Sequence, residues 1–245
     1  MSDTWIILGA TSSIARAFAR KCAENGAELW LLGRDIPELK RIAQDCSLRG
    51  AASAEAVAFD ARKPAGFDAI IARAATHSST LNAAVFVGSM PQQPDMDADP
   101  SMIDATVQDN FTGPARFLHL LAPYLEERES GTIIGVGSVA GDRGRVGNYV
   151  YGAAKAGFHT YLSGLRNRLG RKGGHVITVK PGFVDTAMTW GIGGMFLVAS
   201  PEAVADSLMK AVQKRRNVVY TPWFWRYIML IIRHIPEFIF KKMSI

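Results

Sequence analysis

Cysteine is scarce in this chain, with only Cys22 and Cys46 among 245 residues. Both fall in stretches that read as helical, which argues against a disulfide framework and suits a reducing compartment. Long hydrophobic runs are missing as well. In the most apolar segment, near the C-terminus, the longest unbroken run is Tyr227 to Ile232, far below the roughly 18 residues needed to cross a bilayer. None of the five histidines falls in a metal-ligand pair, so no metal is expected. Zinc-finger spacing and aromatic RNA-binding motifs are absent, which argues against nucleic acid as a partner. The N-terminus passes from Met1-Ser2-Asp3-Thr4 straight into the strand-like Trp5-Ile6-Ile7-Leu8, with no export signal in view. A cytoplasmic protein is therefore expected.

What is present points to one globular unit. Hydrophobic residues make up 48% and charged residues 20%, an ordinary balance for a folded domain. No linker or repeat divides the chain, so residues 1–222 are expected to form a single domain and 223–245 an apolar, amphipathic extension of it. The net charge of +6 suits a phosphorylated cofactor or an anionic membrane.

Strand and helix patterns alternate along the chain. Strands are expected at Trp5–Leu8, Glu28–Leu32, Ala56–Phe59, Leu81–Val87, Thr132–Val136 and His175–Val179. Helices are expected after Ser12, at 36–46 and 69–75, over a long stretch from Ser101 to about Leu125, and at 149–168, with a Pro/Asp-rich loop at 91–100. Such alternation predicts a doubly wound parallel sheet of Rossmann type, an α/β/α three-layer sandwich.

Three sites on this frame carry chemistry. Tyr151 and Lys155 are four residues apart, so on a helix they share a face, and a lysine beside a phenol is expected to lower its pKa. Ser138, at the end of the preceding strand, offers a hydroxyl to the same carbonyl. Directly after the first strand, Gly9-Ala10-Thr11-Ser12-Ser13-Ile14-Ala15 combines a small-residue turn with a helix N-terminus, which suits a pyrophosphate. The strict three-glycine pattern is broken by Ser13 and Ala15, and a plain tight turn explains the same residues. After the second strand stands Leu32-Gly33-Arg34 instead of a carboxylate, and the Arg34 guanidinium suits a ribose 2′-phosphate, hence NADP rather than NAD. An Arg34-Asp35 surface pair is the alternative. Asp60, after the third strand, is either an acceptor for an adenine amino group or a solvated aspartate.

Taken in order, the glycine-type turn, Arg34, Asp60, Asn110, Ser138, Tyr151, Lys155 and Pro181-Gly182 resemble the short-chain dehydrogenase/reductase family over nearly the whole length. The resemblance implies that Ser138 orients a substrate carbonyl and Tyr151 transfers a proton. It also implies that Lys155 lowers the tyrosine pKa while binding the nicotinamide ribose, and that Asn110 holds a water in a proton relay. By the same resemblance Gly9, Thr11, Ser12, Ser13, Ile14, Val87, Gly88, Pro181, Gly182, Val184 and Thr186 belong with Arg34, Asp60, Tyr151 and Lys155 in an NADP(H) site. One element departs: the family's Asn-Asn-Ala-Gly after the fourth strand reads Val85-Phe86-Val87-Gly88, which puts the contacts of the first asparagine in doubt. The implied activity is reversible hydride transfer between NADP(H) and a carbonyl or alcohol, and a homo-oligomer is expected. A protein that senses NADPH without catalysis is the competing class, although such a protein could lose Tyr151 or Lys155.

Residues 183–198 are rich in large apolar groups, among them Met188, Trp190 and Phe196, and are expected to cover an apolar substrate. In the tail, Arg226, Arg233, Glu237 and Lys241 recur at helical spacing opposite a broad aromatic face. That face suits either the surface of a membrane or a subunit interface. The tail is similar to the branch containing decaprenylphosphoryl ulose reductases, which implies a lipid-linked keto-sugar as substrate. A free lipophilic ketone or a 3-oxoacyl thioester remains open.

Overall fold

The computed structural model describes residues 3–76, 80–186 and 197–243. Seven parallel strands form one sheet in the order β3-β2-β1-β4-β5-β6-β7. They are β1 (Asp3–Leu8), β2 (Glu28–Gly33), β3 (Ser53–Ala58), β4 (Thr80–Val85), β5 (Thr132–Val136), β6 (His175–Pro181) and β7 (Val218–Thr221). β1 pairs with β2 on one side and with β4 on the other, so the winding reverses between β1 and β4. A crevice opens beyond the carboxyl ends of the strands at such a reversal, and ligands bind there.

The strands separate two cores by simple alternation. Ile7, Leu29, Leu31, Ile134 and Ile177 face one layer, which contains α1 (Ser13–Glu24), α2 (Ile36–Leu48) and α8 (Pro201–Gln213). Ile6, Leu8, Leu32, Ile133 and Val176 face the other, built from α3 (Phe67–Thr76), α6 (Gly113–Glu127) and α7 (Tyr149–Gly170). With both faces covered, the central strands are apolar at nearly every position, as parallel strands require. Cys22 and Cys46 lie buried in α1 and α2 as free thiols.

Several expectations needed correction. The Pro/Asp-rich stretch contains a short helix, α4 (Gln93–Ala98), because Pro94 suits a first helical turn. The long helix is α5 (Met102–Val107) followed by a π-helical turn at Gln108–Thr112 and then α6. Asn110 lies in that π turn, where the Asn110 Nδ2 donates to Thr106 O at 2.9 Å and to Ser89 O at 2.7 Å. β3 begins at Ser53, in register with Glu28, and ends at Ala58, so Asp60 lies in the turn beyond it. β4 ends at Val85, which places Val87 and Gly88 in the following loop. β7 was not expected at all; its four residues are too few to show a period.

The tail is two helices, not one. α9 (Trp225–His234) stops before Pro236 and α10 (Glu237–Phe240) restarts beyond it. Arg143, from the loop before α7, closes this break. Its guanidinium donates to the carbonyls of Ile232 and Ile235, both at 2.7 Å, pairs with Glu237 at 2.8 Å, and stacks over the Phe240 ring. Glu237 stays exposed while making this pair. Trp225 and Met229 form a third small core with Val139, flanked by Phe183, Tyr220 and Ile228. One face of α9 thus packs beside the strand ends. The other carries the exposed Tyr227, Leu230 and Ile231.

Candidate active site

A cleft of about 740 Å³ lies at the carboxyl ends of the strands, in the size range of small-molecule sites. The turn from β1 to α1 forms one wall. Gly9 has φ +76°, and a Cβ there would lie 2.9 Å from Val87 N, so only glycine lets the two loops meet. Ser12 caps α1, its Oγ accepting from Ala15 N, and no acidic residue stands in the first helical turn. This end of the cleft is fit for a phosphate. Thr11, Ser13 and Ile14 line it alongside Arg16, whose guanidinium is engaged by Glu38 at 2.9 Å and by Thr11 O.

Arg34 stands at the same end, exposed, and no hydrogen bond or ion pair of its side chain is found among the described residues. The alternative pairing with Asp35 is not seen, because Asp35 caps α2 through Glu38 N at 3.0 Å. Asp60 lines the cleft and uses one oxygen to accept from Arg62 N. Next to it Asp109, unnoticed in the sequence, makes a two-pronged ion pair with Arg62 at 2.8 and 2.7 Å.

The other end is built from β5, α7 and β6. Ser138 follows β5, and its Oγ accepts from Ala140 N at 3.1 Å, which fixes the hydroxyl. Tyr151, Lys155 and His159 follow one another at four-residue intervals along α7, all buried. Lys155 donates to Val136 O at 3.2 Å. His159 Nε2 accepts from Ser138 N at 3.3 Å, so the Nδ1 carries the proton, facing Asp142 at 3.8 Å. Burial pulls the His159 pKa down to about 3, with the Lys180 charge adding to the effect, so the ring is neutral. Pro181, which ends β6, and Gly182, Val184 and Thr186 beyond it line this end with Phe183. Most of the apolar cover expected over the substrate, at 187–196, lies outside the described residues.

The expected lowering of the tyrosine pKa is not found in the protein without a ligand. Burial pushes the Tyr151 phenol up to about 12, with the Ser138 hydroxyl acting the other way. Burial pulls Lys155 down to about 8, against the Asp109 charge. The ammonium lies 5.7 Å from the tyrosine ring centroid, and loss of solvation dominates both groups. Beside them, a Cβ on Gly88 would lie 2.6 Å from Asn110 Oδ1 and 3.2 Å from Lys155 Nζ. Asn110 Oδ1 is itself buried without a hydrogen-bond partner.

All the residues expected in the site, from Gly9 to Thr186, line this one cleft except Asn110, which lies fully buried directly beneath Gly88. Arg16, Asp109, Arg145 and Asn148 are among the further lining residues that were missed. For Arg145 and Asn148 a signal existed. The link from Ser138 to Tyr151 is short, so its polar residues must pass close to the site.

Residues 3–194 match the sequence profile described as short chain dehydrogenase. The chain belongs to the short-chain dehydrogenase/reductase family. Members of the family are oxidoreductases that use a nicotinamide cofactor, and the cleft fits one: a phosphate-ready helix end at one side, a proton-donor set at the other, and close-approach glycines between. Family relatives include an uncharacterized oxidoreductase of Mycobacterium tuberculosis, 30% identical over 97% of this chain and 96% of its own. Another is a sulfoacetaldehyde reductase of Chromohalobacter salexigens, 31% identical over 86% of this chain and 82% of its own. In fold the chain is similar to a short-chain dehydrogenase from Sphingobium yanoikuyae solved in complex with NADPH, with a TM-score of 0.81 at 24% identity. That alignment covers 96% of this chain and 97% of the other.

Because Lys155 binds its proton more weakly folded than unfolded, the folded protein gains stability as pH rises from about 8 toward the ordinary lysine value. Replacing it by methionine, Lys155→Met, is expected to stabilise the ligand-free protein at pH 7 by about 1–3 kcal/mol. Urea unfolding at pH 7 and pH 10 checks this: the advantage should shrink at the higher pH, and a destabilised variant at both would contradict it.

Proposed function

We propose that the chain is an NADPH-dependent carbonyl reductase acting on an apolar or lipid-linked substrate, with Tyr151 as the proton donor. The observation that carries this reading is the convergence of Ser138, Tyr151 and Lys155 in one cleft with a phosphate-ready helix end and a free Arg34. NADPH, held along the β1–α1 turn, would supply the hydride chemistry. Arg34 binds the ribose 2′-phosphate, since Gly33 offers no carboxylate to repel it and Asp35 is committed to its helix. Ser138 Oγ holds the substrate oxygen. Tyr151, protonated at neutral pH, gives that oxygen its proton as charge develops there, and the Lys155 ammonium stabilises the phenolate left behind. Asn110 Oδ1 and Lys155, meeting at Gly88, are close enough for one water to join them and return a proton from solvent.

Support for an apolar substrate comes from Phe86, Met90, Val139 and Phe183, which line the cleft. Support for a membrane contact comes from the outer face of the tail, where Trp223, Tyr227, Ile231 and Phe238 are exposed alongside Arg226, Arg233, Lys241 and Lys242. The branch resemblance in the same tail favours a keto-sugar on a polyprenyl phosphate. No helix of the described residues is long and apolar enough to cross a membrane, so the contact would be peripheral.

Tyr151→Phe is expected to lower turnover at least about 100-fold while NADPH still quenches protein fluorescence. Activity near that of the natural chain would remove Tyr151 from its role. Arg34→Leu should raise the Michaelis constant for NADPH roughly 10- to 100-fold and that for NADH by less than about threefold. Equal effects on both cofactors would overturn the preference. On vesicles containing anionic lipid, the full chain should float and a Tyr227→Ser, Ile231→Ser, Phe238→Ser variant should not. If both stay in solution and only the natural chain dimerises, the face belongs to a second copy.

A further inference from the structure

Arg145 is the charge in the cleft that neither the hydride transfer nor the fold explains. It stands in the loop between Ser138 and Tyr151 and lines the cleft with both. The guanidinium is held weakly: one nitrogen donates to Val139 O at 3.3 Å and touches Met229 Sδ at 3.7 Å. Its Nε is buried without a hydrogen-bond partner. No carboxylate among the described residues lies within ion-pair distance. Asp142, the acidic group whose charge it senses, is already taken, with Lys180 on one oxygen at 2.5 Å and the Tyr220 hydroxyl on the other at 2.7 Å. Burial lowers the Arg145 pKa, with the charge of Asp142 acting against it, yet arginine stays charged at any physiological pH.

The contrast with Arg143, two residues earlier, is informative. Arg143 satisfies three backbone carbonyls and a carboxylate, and so has a complete structural role. Arg145 has no such role. A half-buried cation whose Nε is buried and unpartnered and that has no counter-charge is costly, and an anion that arrives with the ligand compensates it. The cofactor's own phosphates do not fit this position. They belong at the α1 end and at Arg34, which follow β1 and β2, whereas Arg145 lies in the loop after β5, on the far side of β4. Asn148 lines the cleft as well, and its side-chain amide N–H can donate to the same ligand.

We propose that Arg145 binds an oxyanion group carried by the carbonyl substrate, a phosphate, sulfonate or carboxylate, and so selects anionic over neutral carbonyl compounds. This rests on the reductase reading for its substrate, but the anion site stands on its own geometry. The planar fork of the guanidinium presents two N–H groups to two oxygens, which a neutral ester or alcohol cannot match.

The test has two arms. In the first, NADPH oxidation is followed with matched aldehydes that differ only in a terminal phosphate, sulfonate, carboxylate or methyl ester. The natural chain should show a kcat/KM at least about tenfold higher for one or more of the anions, expressed in KM. That preference should collapse to within about threefold in Arg145→Met, and Arg145→Lys should recover only part of it. Equal use of ester and anions by the natural chain, or an undiminished preference in Arg145→Met, would overturn the proposal. In the second arm the enzyme is loaded with NADP⁺, so that the cofactor's phosphate sites are filled, and titrated calorimetrically with inorganic phosphate and methanesulfonate. Binding by the natural chain and by Tyr151→Phe, lost in Arg145→Met, supports the site; absence of binding by the natural chain counts against it. Should no carbonyl be reduced at all, the reductase reading fails, and the second arm still decides on Arg145.

Discussion

The buried polar stripe of α7 is the constraint from which the site follows. Tyr151, Lys155 and His159 recur at one-turn intervals on the face that packs against the sheet, where an apolar residue would cost nothing. Each must therefore meet a partner at the strand ends. His159 meets Ser138 N, Lys155 meets Val136 O, and Tyr151 meets the Ser138 side chain. These contacts fix the end of β5 against the helix. Gly137 leaves room for the His159 ring, and any side chain there would collide with it. The hydroxyl, the phenol and the ammonium are thus set by packing before any ligand binds. That is the preorganisation that makes charge stabilisation effective in a site without bulk water.

Burying an ammonium and a phenol together shifts both pKa values toward the uncharged forms, the phenol up and the lysine down. Reading Tyr151 and Lys155 as a sequence pair suggests a phenol made acidic by its neighbour. Burial outweighs that attraction across 5.7 Å in the protein alone. The lysine acts on the phenolate, the species that exists after the proton has left.

Most of the frame was legible in the sequence because a parallel sheet covered on both faces writes itself as apolar runs. Trp5–Leu8, Glu28–Leu32 and Thr132–Val136 are visible for that reason. β7 was not, since four residues at a sheet edge are too few to show a period. The π turn at Gln108–Thr112 was invisible too, because a single wider turn leaves the helical pattern intact on either side. For the site, residues at strand ends could be placed from the strands themselves. Asp109 could not, because its position depends on how a π turn bends in space, and Arg145 could be brought only to the neighbourhood of the site, by the short link from Ser138 to Tyr151.

The clamp made by Arg143 has a further consequence for the loop it comes from. Loops that flank a binding cleft commonly spend much of the free energy of association on becoming ordered. Here one guanidinium ties the 139–148 loop to the end of α9 through three carbonyls, a carboxylate and the Phe240 ring. The loss of conformational freedom falls at folding, not at the encounter with a ligand. The segment that carries Arg145 and Asn148 therefore meets a substrate already rigid, and the C-terminal helices, remote in sequence, act as its brace.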